Sequence, residues 1–106
     1  AKTDAWQVHA NLALAEIASK RPYEARKAME RAIALCEDPK DKARLYNNLG
    51  FVYEQSNKNN QAQYAYERAA ELSPGDLLAL RNLAYSFQKN ANYAKAIETY
   101  KRVLER

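Results

Sequence analysis

Few side chains in this sequence could do covalent or acid–base chemistry, and their placement does not favour it. His9 is the one histidine and Cys36 the one cysteine among 106 residues. A Cys–His pair can act as nucleophile and base, but the pattern below puts these two on different helices with no third group to orient them. One of each also makes no metal-ligand set of recognised spacing. Glu16 and Glu54 lie far apart in sequence and read as solvated or hydrogen-bonded carboxylates rather than an acid/base pair. With only Gly50 and Gly75, there is no glycine-rich phosphate loop. What recurs is a primary amide, in Asn11-Leu12-Ala13, Asn48-Leu49-Gly50 and Asn82-Leu83-Ala84. Such an amide donates and accepts hydrogen bonds at once, as holding a peptide backbone requires.

Each triplet opens the same series. Thirteen residues after each Leu comes Ala25, Ala62 or Ala96, and four further on Met29, Tyr66 or Tyr100. Three beyond those stand Ala32, Ala69 and Val103. Leu12 to Leu49 is 37 residues and Leu49 to Leu83 is 34. Self-similarity at this period indicates stacked supersecondary units.

The elements that must position these residues are helices. Ala, Leu, Lys, Arg, Glu and Gln dominate, all good helix formers, while Pro (three) and Gly (two) are scarce. Asp4 reads as an N-cap with Gln7 as its capping-box partner, opening a helix to about Ser19. Pro22 starts a second helix to about Cys36. Asp38 caps a third that begins at Pro39, and Asn57 to Asn60 breaks it. A fourth runs to about Leu72, where Ser73-Pro74-Gly75-Asp76 ends it and Asp76 caps a fifth. Asn90-Ala91-Asn92 ends that helix, and Asn92 caps a sixth that runs to the last residue. Short turns make each pair an antiparallel hairpin.

Composition bounds the function further. Apolar residues make up 47% and charged residues 28%, as in a soluble globular domain. No apolar run approaches 18 residues, so no membrane span is expected. The net charge of +4 is interspersed along the chain and indicates no nucleic-acid partner by itself. The nearest basic cluster, Lys20-Arg21 and Arg26-Lys27, is interrupted by Pro22 to Ala25, which includes Glu24. A lone cysteine forms no internal disulfide and fits a reducing compartment such as the cytoplasm. The start, Ala1-Lys2-Thr3-Asp4, lacks Met and reads as an excised or processed segment.

The series resembles the tetratricopeptide repeat, a helix-turn-helix module of 34 residues. The best copy, Ala43 to Asp76, carries Leu49, Gly50, Tyr53, Ala62, Tyr66, Ala69 and Pro74 at the family's positions 7, 8, 11, 20, 24, 27 and 32, with Tyr46 at the usual Trp site. The copy from Leu77 carries Leu80, Leu83, Ala84, Phe87, Ala96, Tyr100 and Val103. The copy from Trp6 is weaker, with His9 at the Trp site and Glu16 where an aromatic belongs, and three extra residues follow it. The repeats therefore span about 6–39, 43–76 and 77–106. The resemblance implies an all-α fold: one domain, a solenoid of about six antiparallel helices wound into a right-handed superhelix. Small residues at Gly50, Ala62, Ala84 and Ala96 would let helices approach, and Tyr53, Tyr66, Phe87 and Tyr100 would fill the space between hairpins.

The resemblance also implies a concave groove, lined by the helix face opposite the packing stripe. On that face the sequence places Asn11 and Leu14, then Arg44, Asn47, Asn48 and Phe51, then Arg81, Asn82, Tyr85 and Lys89. Asn11, Asn48 and Asn82 would form an asparagine ladder along a guest backbone, beside the apolar row of Leu14, Phe51 and Tyr85. The excess of Arg44, Arg81 and Lys89 over Glu54 implies tolerance for acidic or C-terminal carboxylate ligands. A dedicated carboxylate clamp is not implied, because its other sites hold Ala10, Leu14, Leu78 and Asn82, and only Asn48 matches. The expected function is non-catalytic binding of a protein or peptide segment, with no cofactor. The alternative is a structural spacer or self-assembly unit associating through the uncapped last hairpin at Ile97, Tyr100, Val103 and Leu104.

Overall fold

A computed structural model describes residues 5–105. Among them are six α-helices: α1 (Ala5–Ala18), α2 (Pro22–Leu35), α3 (Pro39–Gln55), α4 (Asn59–Leu72), α5 (Leu77–Lys89) and α6 (Tyr93–Leu104). The expected Asp4 cap lies outside the described residues.

The other start signals act as anticipated. Asp38 accepts from the Lys40 N–H at 3.0 Å, and Pro39 begins α3. Asp76 accepts from Leu78 at 2.9 Å, and Asn92 from Lys95 at 3.4 Å. These bonds satisfy N–H groups that have no partner inside the helix. Pro22 opens α2 without a side-chain cap.

The three hairpin turns are built alike. The residue at the same place in each unit takes the left-handed backbone: Lys20 (φ 64°), Asn57 (φ 59°) and Ala91 (φ 62°). The next N–H then reaches back to the carbonyl five residues earlier, from Arg21 to Glu16 (2.8 Å), Lys58 to Tyr53 (2.9 Å) and Asn92 to Phe87 (2.8 Å). This is the Schellman closure of a helix end. The break after α3 is narrower than expected, since Asn59 and Asn60 already belong to α4. The third turn places Ala91, not a flanking asparagine, in the strained conformation.

The 37-residue interval has a simple origin. α3 is 17 residues long against 13 for α5, so it gains a turn, Pro39 to Lys42, at its start. The connection before it, Cys36 to Asp38, is one residue shorter than Ser73 to Asp76. At the other end, α6 stops at Leu104 rather than at the last residue.

Each helix packs on its neighbours in sequence, and α3 also touches α1 and α5, whereas α2, α4 and α6 do not meet one another. The stack is elongated, 44 × 27 × 17 Å, with α1, α3 and α5 forming one wall. Alanines make the seams. Ala13, Ala25, Ala32 and Ala65 are fully buried with Met29, Leu45, Leu49 and Val52. Further along, Tyr66 and Phe87 pack with Ala62, Leu83 and Ala96, and half-buried Tyr53 touches both clusters. Gly50, Ala62, Ala84 and Ala96 are buried, as close helix approach requires. Leu12 departs from the expectation. It is exposed although it occupies a packing position, because that face of α1 meets no preceding hairpin among the described residues.

Candidate functional site

Two depressions on the α1/α3/α5 wall gather the side chains proposed from the sequence. One, of about 430 Å³ between α1 and α3, includes Asn11, Leu14, Arg44 and Asn48, together with Trp6, Gln7 and Asp41. The other, of about 470 Å³ between α3 and α5, includes Asn47, Asn48, Phe51, Arg81, Asn82 and Tyr85. Asn48 lines both, so the two adjoin at that residue. Lys89 lies outside them, with its ammonium 5.8 Å from the centre of the Tyr85 ring.

The elements explain the grouping. Residues three and four apart share a helix face, so Asn48, Phe51 and Gln55 on α3 point the same way as Asn82, Tyr85 and Lys89 on α5. The packing stripe one third of a turn away is occupied by Leu49 and Val52, or Leu83 and Phe87, which are buried. Burial of that stripe leaves the first set outward. Phe51 is 43% exposed and Tyr85 46%.

The asparagines are not equivalent. Asn47 is only 6% exposed and accepts a hydrogen bond from the Asn82 amide at 3.4 Å. Its own Nδ2 is buried without a partner. Asn47 therefore sits in the seam between α3 and α5, and Asn82 has one N–H committed within the fold. Asn48 is half-buried and Asn11 exposed, and neither makes a side-chain hydrogen bond among the described residues. Arg44 is exposed and 3.4 Å from Asp41, a weak surface pair.

Glu54, on the expected groove face, and Tyr66, expected only to pack, complete the α3/α5 depression. Burial pushes the Tyr66 phenol well above its ordinary range, and the negative charge of the nearby Glu54 pushes it further. Tyr66 was expected only to pack, and Tyr100 to pack or to join an associating face, yet each also lines the depression. The Tyr100 hydroxyl donates to Gln88 at 3.1 Å. By contrast, Cys36 is buried and its thiol is pushed up by burial first and by the nearby Asp41 and Asp38 charges next. Among the described residues, no group of three or more His, Cys, Asp or Glu side chains could hold a metal ion.

Comparison with known proteins agrees with this architecture. The family described as tetratricopeptide repeat matches residues 5–75 and again residues 79–106. An uncharacterised protein, ycf37, of Porphyra purpurea is 31% identical over 111 residues, covering 97% of this chain and 64% of that protein. The chain spans 39% and 35% of the ycf37 proteins of Guillardia theta and Pyropia yezoensis. Among solved structures, MamA superposes with a TM-score of 0.85 at 26% identity, covering 97% of this chain and 58% of that one. The N-terminal domain of stress-induced protein-1 from C. elegans superposes with a TM-score of 0.84 at 27% identity, over 99% and 86% of the two chains. Helical-hairpin stacks of this kind are in general interaction modules rather than catalysts, and their surface, not a reactive centre, does the work. The chain belongs to the tetratricopeptide repeat family and is a protein–protein interaction module.

Proposed function

We propose that the α1/α3/α5 wall binds an extended segment of another protein without chemical change to it. The carrying observation is that two depressions adjoin at Asn48, with Leu14, Phe51 and Tyr85 exposed on the same wall. Asn11 and Asn48 offer whole amides to a guest backbone, and Asn82 keeps one N–H and its carbonyl. Three such contacts at about 0.5–1.5 kcal/mol each give only a few kcal/mol. Ordering a flexible guest costs about 2–5 kcal/mol. Micromolar affinity, near about −8 kcal/mol, therefore needs the apolar row as well. Arg44 in the α1/α3 depression and Arg81 in the α3/α5 depression make the wall tolerant of acidic stretches. Titration of candidate peptides against Asn48→Ala and Phe51→Ala tests the reading. It predicts weaker binding in both, and unchanged affinity in both removes the groove as the site.

A second reading rests on α6, where Ile97 is 56% and Leu104 83% exposed. Self-association through that face would raise the mass in sedimentation with concentration and would be lost on Ile97→Lys. Tyr100 and Val103 are half-buried and serve the fold instead.

A further inference from the structure

The α3/α5 depression has two chemically different ends, and the amide ladder uses only one. The Asn82–Asn47 bond fixes the register of the two helices. Glu54 then lies seven residues further along α3 than Asn47, about 10 Å at the rise of an α-helix. Arg81 stands near the Asn47 end. At the other, Glu54 lines the depression together with Phe51, Tyr66, Tyr85 and Tyr100. Among the described residues, no lysine or arginine comes within ion-pair distance of Glu54. Lys89, level with it in register, stands over the Tyr85 ring instead. Its neighbour across the turn, Tyr66, is a neutral phenol whose pKa burial raises.

We infer that this end of the groove is a subsite for a basic side chain, lysine or arginine, on the bound segment. A half-buried carboxylate gives a charge-assisted hydrogen bond to an ammonium or guanidinium. Aromatic faces attract the same cation and shelter it from water. An acidic side chain at this point meets like charge and is rejected. Arg81 at the opposite end takes an acidic or carbonyl group. The two ends lie about 10 Å apart, a span of about three extended residues. The inference rests on the groove reading above and adds to it the polarity of the partner.

The test is selection of a phage-displayed library of random linear peptides by the wild-type chain and by Glu54→Gln. Wild type is expected to enrich lysine or arginine at one position, and Glu54→Gln to lose that enrichment. In a selected peptide, replacing that lysine by norleucine should weaken binding to wild type about tenfold and to Glu54→Gln less than about twofold. As a second variant, Glu54→Lys should prefer the same peptide with glutamate at that position. Wild-type binders that Asn48→Ala weakens, but that show no basic preference or keep it on Glu54→Gln, overturn the subsite and leave the groove standing. A wild-type selection that enriches no sequence overturns both.

Discussion

The ring of Tyr66 on α4 occupies the space where residue 50 of α3 would carry a side chain. A Cβ built on Gly50 falls within 2.7 Å of the ring's Cδ1 and Cζ, and closer still to Cε1. The ring is buried among Ala62, Leu83, Phe87 and Ala96, so it cannot swing away cheaply. The glycine is thus what lets the first and second helices of the central hairpin meet, and what sets the back of the α3/α5 depression.

Gly50→Ala should destabilise the chain by about 1–3 kcal/mol, the usual cost of overpacking. Urea unfolding monitored by circular dichroism measures it. Tyr66→Leu in the same chain should return part of the loss, since the clash disappears while the interior stays apolar. A Gly50→Ala chain as stable as wild type would show that the ring yields.

Ala91→Gly should act in the opposite direction. A left-handed alanine carries a penalty of about 1–2 kcal/mol that glycine avoids, partly offset by the greater freedom of glycine in the unfolded chain. A net gain of about 0.5–1 kcal/mol is expected in the same urea experiment. Lys20→Gly should behave likewise, and Asn57→Gly should gain less, because asparagine already tolerates this conformation.

The asparagines separate binding from stability. Asn82→Ala removes the donor to Asn47 and should cost about 1 kcal/mol of folding free energy. Asn48→Ala breaks no internal bond and should stay within about 0.5 kcal/mol of wild type, while losing affinity for peptide. Equal thermal shifts in the two variants would contradict this division.

Stability should fall in alkali partly through Tyr66. Its folded pKa is raised above the unfolded value, so its contribution is complete below about pH 10, the ordinary tyrosine value. The contribution is lost as pH rises beyond that point and the unfolded chain alone gives up its proton. Tyr53, raised chiefly by burial, adds in the same direction. Urea midpoints at pH 8 and pH 11 should therefore differ less in Tyr66→Phe than in wild type. An identical drop in both would assign the loss elsewhere.

Much of this was legible in the sequence, for reasons that differ by residue. Asp38, Asp76 and Pro39 act locally, and their cap geometry follows from their own chemistry. The period of Leu49, Ala62 and Tyr66 survives because each side chain meets a neighbouring hairpin and must fit it. The first unit reads poorly for the converse reason. His9, Leu12 and Glu16 face no preceding hairpin among the described residues, so nothing demands apolar side chains there. The site was harder. A helical wheel puts Asn47 and Asn48 on adjoining positions, and only the packing of α5 against α3 buries Asn47 beside Asn82 and leaves Asn48 half-buried. The meeting of Glu54 with Tyr66 joins two helices across a turn, which spacing within one helix does not report. Tyr66 and Tyr100 fill the interior and also edge a surface, a dual role that a pattern of buried positions conceals.

The additional turn at the start of α3 shows where the chain tolerates a change in length. Three residues have entered between the first and second hairpins, yet Asn48 and Leu49 keep their places against their neighbours, because the extra length was absorbed upstream of Ala43 as a spur of helix. Asp41 of that spur borders the α1/α3 depression, so the place to introduce a tag or a reporter is just before it, at exposed Glu37.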